Sequence, residues 1–175
     1  DQKILIGAGP EKAVATTKAF TGKLGHLLLS AFSLAGKTKH GQKLLLKAAE
    51  SSKDVLSPAS ASRIRILARK IKNRDHIFVI GRGLSYPASL ETALKIKEIS
   101  YIHAEGFAAG ELKHGVIALV EKGTVCIAFL PDDETYGANL AGAMEMKARG
   151  GFMIGVSHKP HEVFDDYLPV QDAAE

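Results

Sequence analysis

The stretch His76-Ile-Phe-Val-Ile80-Gly-Arg-Gly-Leu-Ser85-Tyr-Pro-Ala-Ser-Leu90-Glu-Thr-Ala-Leu-Lys95-Ile-Lys-Glu98-Ile-Ser-Tyr-Ile-His103 decides the fold. Its opening residues 76–80 form an apolar run without alternation, the pattern of a strand covered on both faces. Gly81-Arg-Gly83 is a tight turn at the carboxyl end of that strand, and a helical pattern follows it. The same alternation continues downstream. Residues 124–130 read as a strand, 134–149 as a helix, 152–156 as a strand and 168–170 as one more. Continuous apolar strands separated by helices predict a parallel sheet covered by helices on both sides, an α/β fold.

Upstream the texture differs. Residues 3–8 read as a short strand, and Leu24, Leu27, Leu28, Ala31, Phe32 and Ala35 recur at helical spacing within 12–35. A second helix is expected over about 41–53. Ser57-Pro58 opens a third through Arg63, Ile64, Leu67 and Ile71, since proline suits a first turn. The chain therefore divides into 1–56, mostly helical, and 57–175, which carries the sheet.

The helix after the glycine turn bears the chemistry. At 100° per residue, Glu91, Lys95 and Glu98 lie on one stripe at i, i+4 and i+7. Ser89, Ala93, Lys97 and Ser100 form a weakly polar band about half a turn away, while Leu94, Ile99 and Ile102 flank the charges. The charges thus fall on the more apolar side, the placement of an acid or base in an active site. Ordinary surface pairing of Glu and Lys, at a few tenths of a kcal/mol, is the other reading of the same spacing. Periodicity alone leaves both open. Beyond this helix, His114 sits between Gly110 and Gly115 with Glu111 and Lys113 beside it.

Other features narrow the function. The 175 residues are 46% hydrophobic and 24% charged with a formal charge of +4, ordinary for a soluble globular chain. No basic run with interleaved aromatics suggests nucleic-acid binding, and no apolar run approaches the roughly 20 residues that span a bilayer. The single cysteine, Cys126, excludes an internal disulfide and fits a reducing compartment, so cytoplasm is expected. In its apolar run Cys126 reads as a packing residue. Gly81-Arg-Gly83 is not a complete dinucleotide fingerprint, and no P-loop lysine follows it. Ser85 is a candidate N-cap. The histidines at 26, 40, 76, 103, 114, 158 and 161 show no metal-ligand spacing. His26 reads as a packing or capping residue, and His158 and His161 as solvated. No cofactor and no metal are expected. A serine-hydrolase elbow is absent.

Residues 81–115, Gly-Arg-Gly-x-x-Tyr-Pro-x-x-Leu-Glu-x-Ala-Leu-Lys-x-Lys-Glu-Ile-Ser-Tyr-Ile-His-Ala-Glu-x-x-x-x-Gly-Glu-Leu-Lys-His-Gly, resemble the second sugar isomerase (SIS) domain of the glutamine–fructose-6-phosphate aminotransferase (glucosamine-6-phosphate synthase) family. Ala8-Gly-Pro-Glu-Lys-Ala-Val-Ala-Thr-Thr-Lys-Ala-Phe-Thr21 resembles the end of the first such domain in that family. The resemblance implies a three-layer αβα fold with a five-stranded parallel, flavodoxin-like sheet, preceded by helices from the end of the first SIS domain.

It also implies an activity: glutamine-derived ammonia and fructose-6-phosphate become glucosamine-6-phosphate, with a proton moved between sugar carbons 1 and 2. By the resemblance, Glu98 is the base for that transfer, Lys95 assists it, and His114 opens the sugar ring from a neighbouring subunit in a homodimer. Val14 and Glu91 correspond to lesser positions lining the sugar-phosphate site. A carboxylate suits a proton taken and returned on one face of the substrate, and the ammonium one turn away favours its ionised form. An imidazole exchanges protons near neutral pH. The family's Ser/Thr-rich phosphate cradle, its C-terminal helix and Schiff-base lysine tail, and its glutaminase domain have no counterpart here, so a fragment inactive alone is expected. A non-catalytic sugar-phosphate-binding module, or a related sugar-phosphate deaminase or deglycase, are the alternatives.

Overall fold

The computed structural model describes residues 3–171, and the chain divides into two compact units, Asp1–Asp54 and Val55–Glu175. In the first, residues 3–8 do not form the expected strand. Every strand of the described residues belongs to the sheet of the other unit, so this segment has no ladder to join. Helix α1 (Lys18–Leu34) also begins later than the periodicity suggests. The Glu11 carboxylate accepts a hydrogen bond from the Ala19 amide at 3.0 Å, and the Lys18 ammonium donates to the Pro10 carbonyl at 2.6 Å. These contacts fold residues 10–17 back over the first turn. Helix α2 (Thr38–Val55) follows.

In the second unit α3 (Pro58–Ile71) starts as the sequence indicates: the Ser57 hydroxyl accepts from the Ser60 amide and proline fills the first turn. Then come β1 (His76–Gly81), α4 (Ser85–Ser100), β2 (His103–Ala108), 3-10 helices at Ala109–His114 and Val116–Leu119, β3 (Val125–Leu130), α5 (Tyr136–Ala148), β4 (Phe152–Ser157) and β5 (Asp166–Pro169). All pairings are parallel and the spatial order is β2-β1-β3-β4-β5. That is the doubly wound, flavodoxin-like order, in agreement with the three-layer expectation.

Strand β2 is the element that periodicity conceals. The helical reading ran on to His103, whereas α4 stops at Ser100 because Tyr101 adopts a left-handed conformation with φ 61°. The residues His-Ala-Glu-Gly-Phe-Ala carry no β-branched side chain, so pairing with β1, from His76↔His103 to Gly81↔Ala108, makes them a strand.

Successive β1 side chains face opposite layers. Phe78 and Ile80 pack with Leu112, Ala143 and Met146 on the α5 side; Ile77 and Val79 pack with Leu67, Ala93 and Ala104 on the α3–α4 side. The first 3-10 helix and α4 therefore lie on opposite faces of the sheet.

Candidate active site

Helix α4 positions the charged stripe. Its buried face is Ser85, Ser89 and Ala93, with Ile96 packed on the same core; of the three residues expected to flank the charges, Leu94 and Ile99 are exposed and Ile102, just past the helix, packs on the core. The expected apolar side is thus corrected: the band of small residues faces the sheet. The reason is distance. A Cβ on Gly106 would come within 2.8 Å of the Ser89 carbonyl oxygen, and one on Gly81 within 2.3 Å of the Ser85 carbonyl oxygen. Backbone packs against backbone there, leaving no room for a branched side chain.

The stripe itself is half-buried. Side-chain exposures are 24% for Glu91, 21% for Lys95 and 28% for Glu98. The Lys95 ammonium donates to Glu98 Oε2 at 2.5 Å and lies 3.5 Å from Glu91 Oε1. The Glu98 hydrogen bond is the main influence holding the Lys95 ammonium above its ordinary lysine pKa. Partial burial opposes it, and the charges of Glu98 and Glu91 reinforce it. Lys95 is therefore a fixed cation between two carboxylates. The arrangement holds one glutamate in a single geometry beside a permanent positive charge, which suits a base that must return the proton it takes.

The structure brings together Glu91, Lys95 and Glu98, but not the other predicted site residues. His114 ends the first 3-10 helix with its side chain 71% exposed, and its Nδ1 lies 3.1 Å from Glu111 Oε2. The sheet separates it from α4. Val14 lies in the unit Asp1–Asp54 and is 88% exposed.

Ser85 is not an N-cap. That position is Leu84, and the Ser85 hydroxyl accepts from the Arg82 amide at 2.9 Å and donates to the Arg82 carbonyl at 2.8 Å, closing the glycine turn. Nor is His158 solvated. Strand β4 delivers it under the start of α5, against the Tyr136 ring, with Nε2 3.5 Å from Asp132 Oδ1 and Nδ1 buried. His161 is half-buried and accepts from the Val163 amide. His26 bonds within α1 to the Gly22 carbonyl. Cys126 is fully buried, and burial pushes its thiol up to about 12.

The sequence reading missed Glu111 as the partner of His114. The i, i+3 spacing marks the pair once that segment is known to be a 3-10 helix, in which such positions eclipse. Among the described residues no group of three or more His, Cys, Asp or Glu is arranged to hold a metal, and no helix is long and apolar enough to cross a membrane.

Comparison with known proteins gives these side chains a context. The SIS domain family matches residues 70–167. A glutamine–fructose-6-phosphate aminotransferase (isomerizing) of Pyrococcus horikoshii is 40% identical over 173 residues, covering 96% of this chain and 29% of that protein. The enzyme of that name from Caldanaerobacter subterraneus is 42% identical over 160 residues, covering 88% of this chain and 26% of its own. The chain thus spans under a third of the length of these relatives. Among solved structures, the C-terminal domain of glucosamine-fructose-6-phosphate aminotransferase from Francisella tularensis superposes with a TM-score of 0.78 at 32% identity. It covers 94% of this chain and 50% of that one.

Proposed function

We propose a function from one premise: this chain belongs to the SIS domain family. It carries the proton-transfer part of the isomerase chemistry of a glutamine–fructose-6-phosphate aminotransferase. The observation that carries this reading is the half-buried Glu98 carboxylate held at 2.5 Å by Lys95. The substrate is fructose-6-phosphate, joined to ammonia that a glutaminase domain of the longer enzyme releases from glutamine. Glu98 takes a proton from carbon 1 of the resulting imine and returns it to carbon 2, giving glucosamine-6-phosphate. Lys95 holds the carboxylate in place between turnovers. Glu91, on the far side of Lys95, keeps that ammonium centred and lines the sugar site.

His114 opens the sugar ring in the site of a neighbouring subunit. The opposite-face placement of α4 and the first 3-10 helix supports this division. Leu90, Leu94 and Ile99, exposed beside the charged stripe, support a homodimer that covers them. The relatives are far longer, so the 175 residues do not complete the reaction alone, and the enzyme works in the cytoplasm.

The test is Glu98→Gln in a protein extended at both ends to the length of its relatives. Turnover falls by about 10²–10⁴-fold, while fructose-6-phosphate affinity stays within a few-fold. Unchanged turnover contradicts the assignment. Sugar-phosphate binding with no turnover in the unaltered protein marks a non-catalytic module instead.

A further inference from the structure

The amino edge of the sheet holds a side-chain pair that the proposed isomerase chemistry does not use. His76 opens β1 and His103 opens β2, and the two are direct cross-strand partners. Both are exposed, their rings meet edge to face with centroids 5.2 Å apart, and their Nδ1 atoms lie 3.2 Å from one another. One ring donates and the other accepts across that gap. The 27-residue separation hid the pair from the sequence, where no metal-ligand spacing was evident.

We propose that His76 and His103 form a chelating site for a divalent late transition metal, Cu²⁺ or Zn²⁺. Histidine–zinc bonds are about 2.0–2.1 Å, so two at a tetrahedral angle place their nitrogens about 3.3 Å apart, and two at a right angle about 2.9 Å. The 3.2 Å separation falls between these limits. An ion therefore replaces the shared hydrogen with the two nitrogens keeping their separation, each exposed ring turning so that its lone pair points at the ion instead of at the other ring. The donor ring then carries its proton on Nε2, so both nitrogens facing the metal are lone pairs and the step needs no redox partner.

The backbone is already fixed, because the two residues are locked in register by the parallel ladder; chelation orders only two exposed rings. Among the described residues no third His, Cys, Asp or Glu completes the group, so water fills the remaining positions. Two imidazoles suit Cu²⁺ best, then Zn²⁺ and Ni²⁺, and exclude Mg²⁺ and Ca²⁺, which take oxygen ligands. The site sits where the chain leaves α4 for β2, two residues past Tyr101, so an occupying ion clamps the end of the helix that bears Glu98. It does not depend on the isomerase reading, and neither variant below touches the Glu98–Lys95 pair.

The experiment is calorimetric titration of the full chain, free of any added histidine tag, with Cu²⁺, Zn²⁺ and Mg²⁺. The unaltered chain binds one Cu²⁺ tightly and Zn²⁺ more weakly, and its melting temperature rises with both but not with Mg²⁺. His76→Ala and His103→Ala each lower the Cu²⁺ affinity by at least about tenfold, whereas His40→Ala leaves it unchanged. Electron paramagnetic resonance of the unaltered chain shows two imidazole nitrogens on one Cu²⁺, a result that stands even if a variant folds poorly. Affinity indifferent to both substitutions, equal loss with His40→Ala, or a one-nitrogen spectrum overturns the proposal.

Discussion

Gly106→Ala isolates the contact that sets the height of the charged helix above the sheet. The added methyl group would lie 2.8 Å from the Ser89 carbonyl oxygen and 2.9 Å from both the Leu90 Cα and the Leu90 amide nitrogen. All three are backbone atoms, so no rotamer change relieves the contact, and α4 must lift by several tenths of an ångström over β2. Overpacking of this kind costs about 1–3 kcal/mol. For a unit spanning Val55–Glu175 a loss of 1 kcal/mol lowers the melting temperature by about 4 °C, so the expected fall is roughly 4–12 °C. Gly137→Ala in α5 is the matched control. Nothing lies within 4 Å of its added Cβ, and it should hold or raise stability by about 0.4–1 kcal/mol through the unfolded state. Differential scanning calorimetry on both variants reads the difference in sign. A Gly106→Ala chain melting within 1–2 °C of the unaltered chain would refute the claim that backbone contact positions Glu91, Lys95 and Glu98.

Three further outcomes follow from particular groups. The Cys126 thiol, raised to about 12 by burial, stays unmodified by a thiol reagent at pH 8 until the fold opens; mass spectrometry of the native chain showing rapid labelling contradicts its burial. Asp166 feels opposing influences. Burial raises its carboxyl, while the Lys70 hydrogen bond at 2.7 Å, the Tyr167 amide and the Lys70 and Arg63 charges bring it below its ordinary value of 3.8. A depressed folded value contributes stability fully above about pH 4 and loses it as pH falls through that value, so Asp166→Asn flattens the acid limb of a denaturant-midpoint profile and costs about 0.5–1 kcal/mol at pH 7; an unchanged acid limb speaks against the pair. Under the shared-site proposal, mixing Glu98→Gln with His114→Ala subunits of the extended protein restores about a quarter of native turnover, since half the dimers then hold one intact site. No recovery after subunit exchange is the contrary result.

The doubly wound sheet was legible because β1, β3 and β4 are unbroken apolar runs, and a run that long is buried on both faces wherever it sits. Strand β2 was not, since His103 to Ala108 has no β-branched residue and becomes a strand only by lying beside β1. Residues 3–8 failed in the opposite sense: Lys-Ile-Leu-Ile looks like a strand, yet it has no partner among the described residues. At the site, the Glu91–Lys95–Glu98 contacts followed directly from helical spacing. The face of α4 that is buried did not. That face depends on Gly81 and Gly106, which lie on strands and become informative only once their distance to the helix backbone is known. His158 was misjudged for a similar reason, because Tyr136, which covers it, comes from the start of a helix 22 positions earlier in the chain.

Exchange of the carbon-1 hydrogen of fructose-6-phosphate with deuterated water in the presence of glutamine, followed by proton NMR in the extended protein, reads the proton transfer itself without waiting for product release. Exchange proceeds in the native protein and falls by about 10²-fold or more in Glu98→Gln, with the sugar still bound. Exchange that proceeds at the native rate without the Glu98 carboxylate would contradict the assignment of Glu98 as the base.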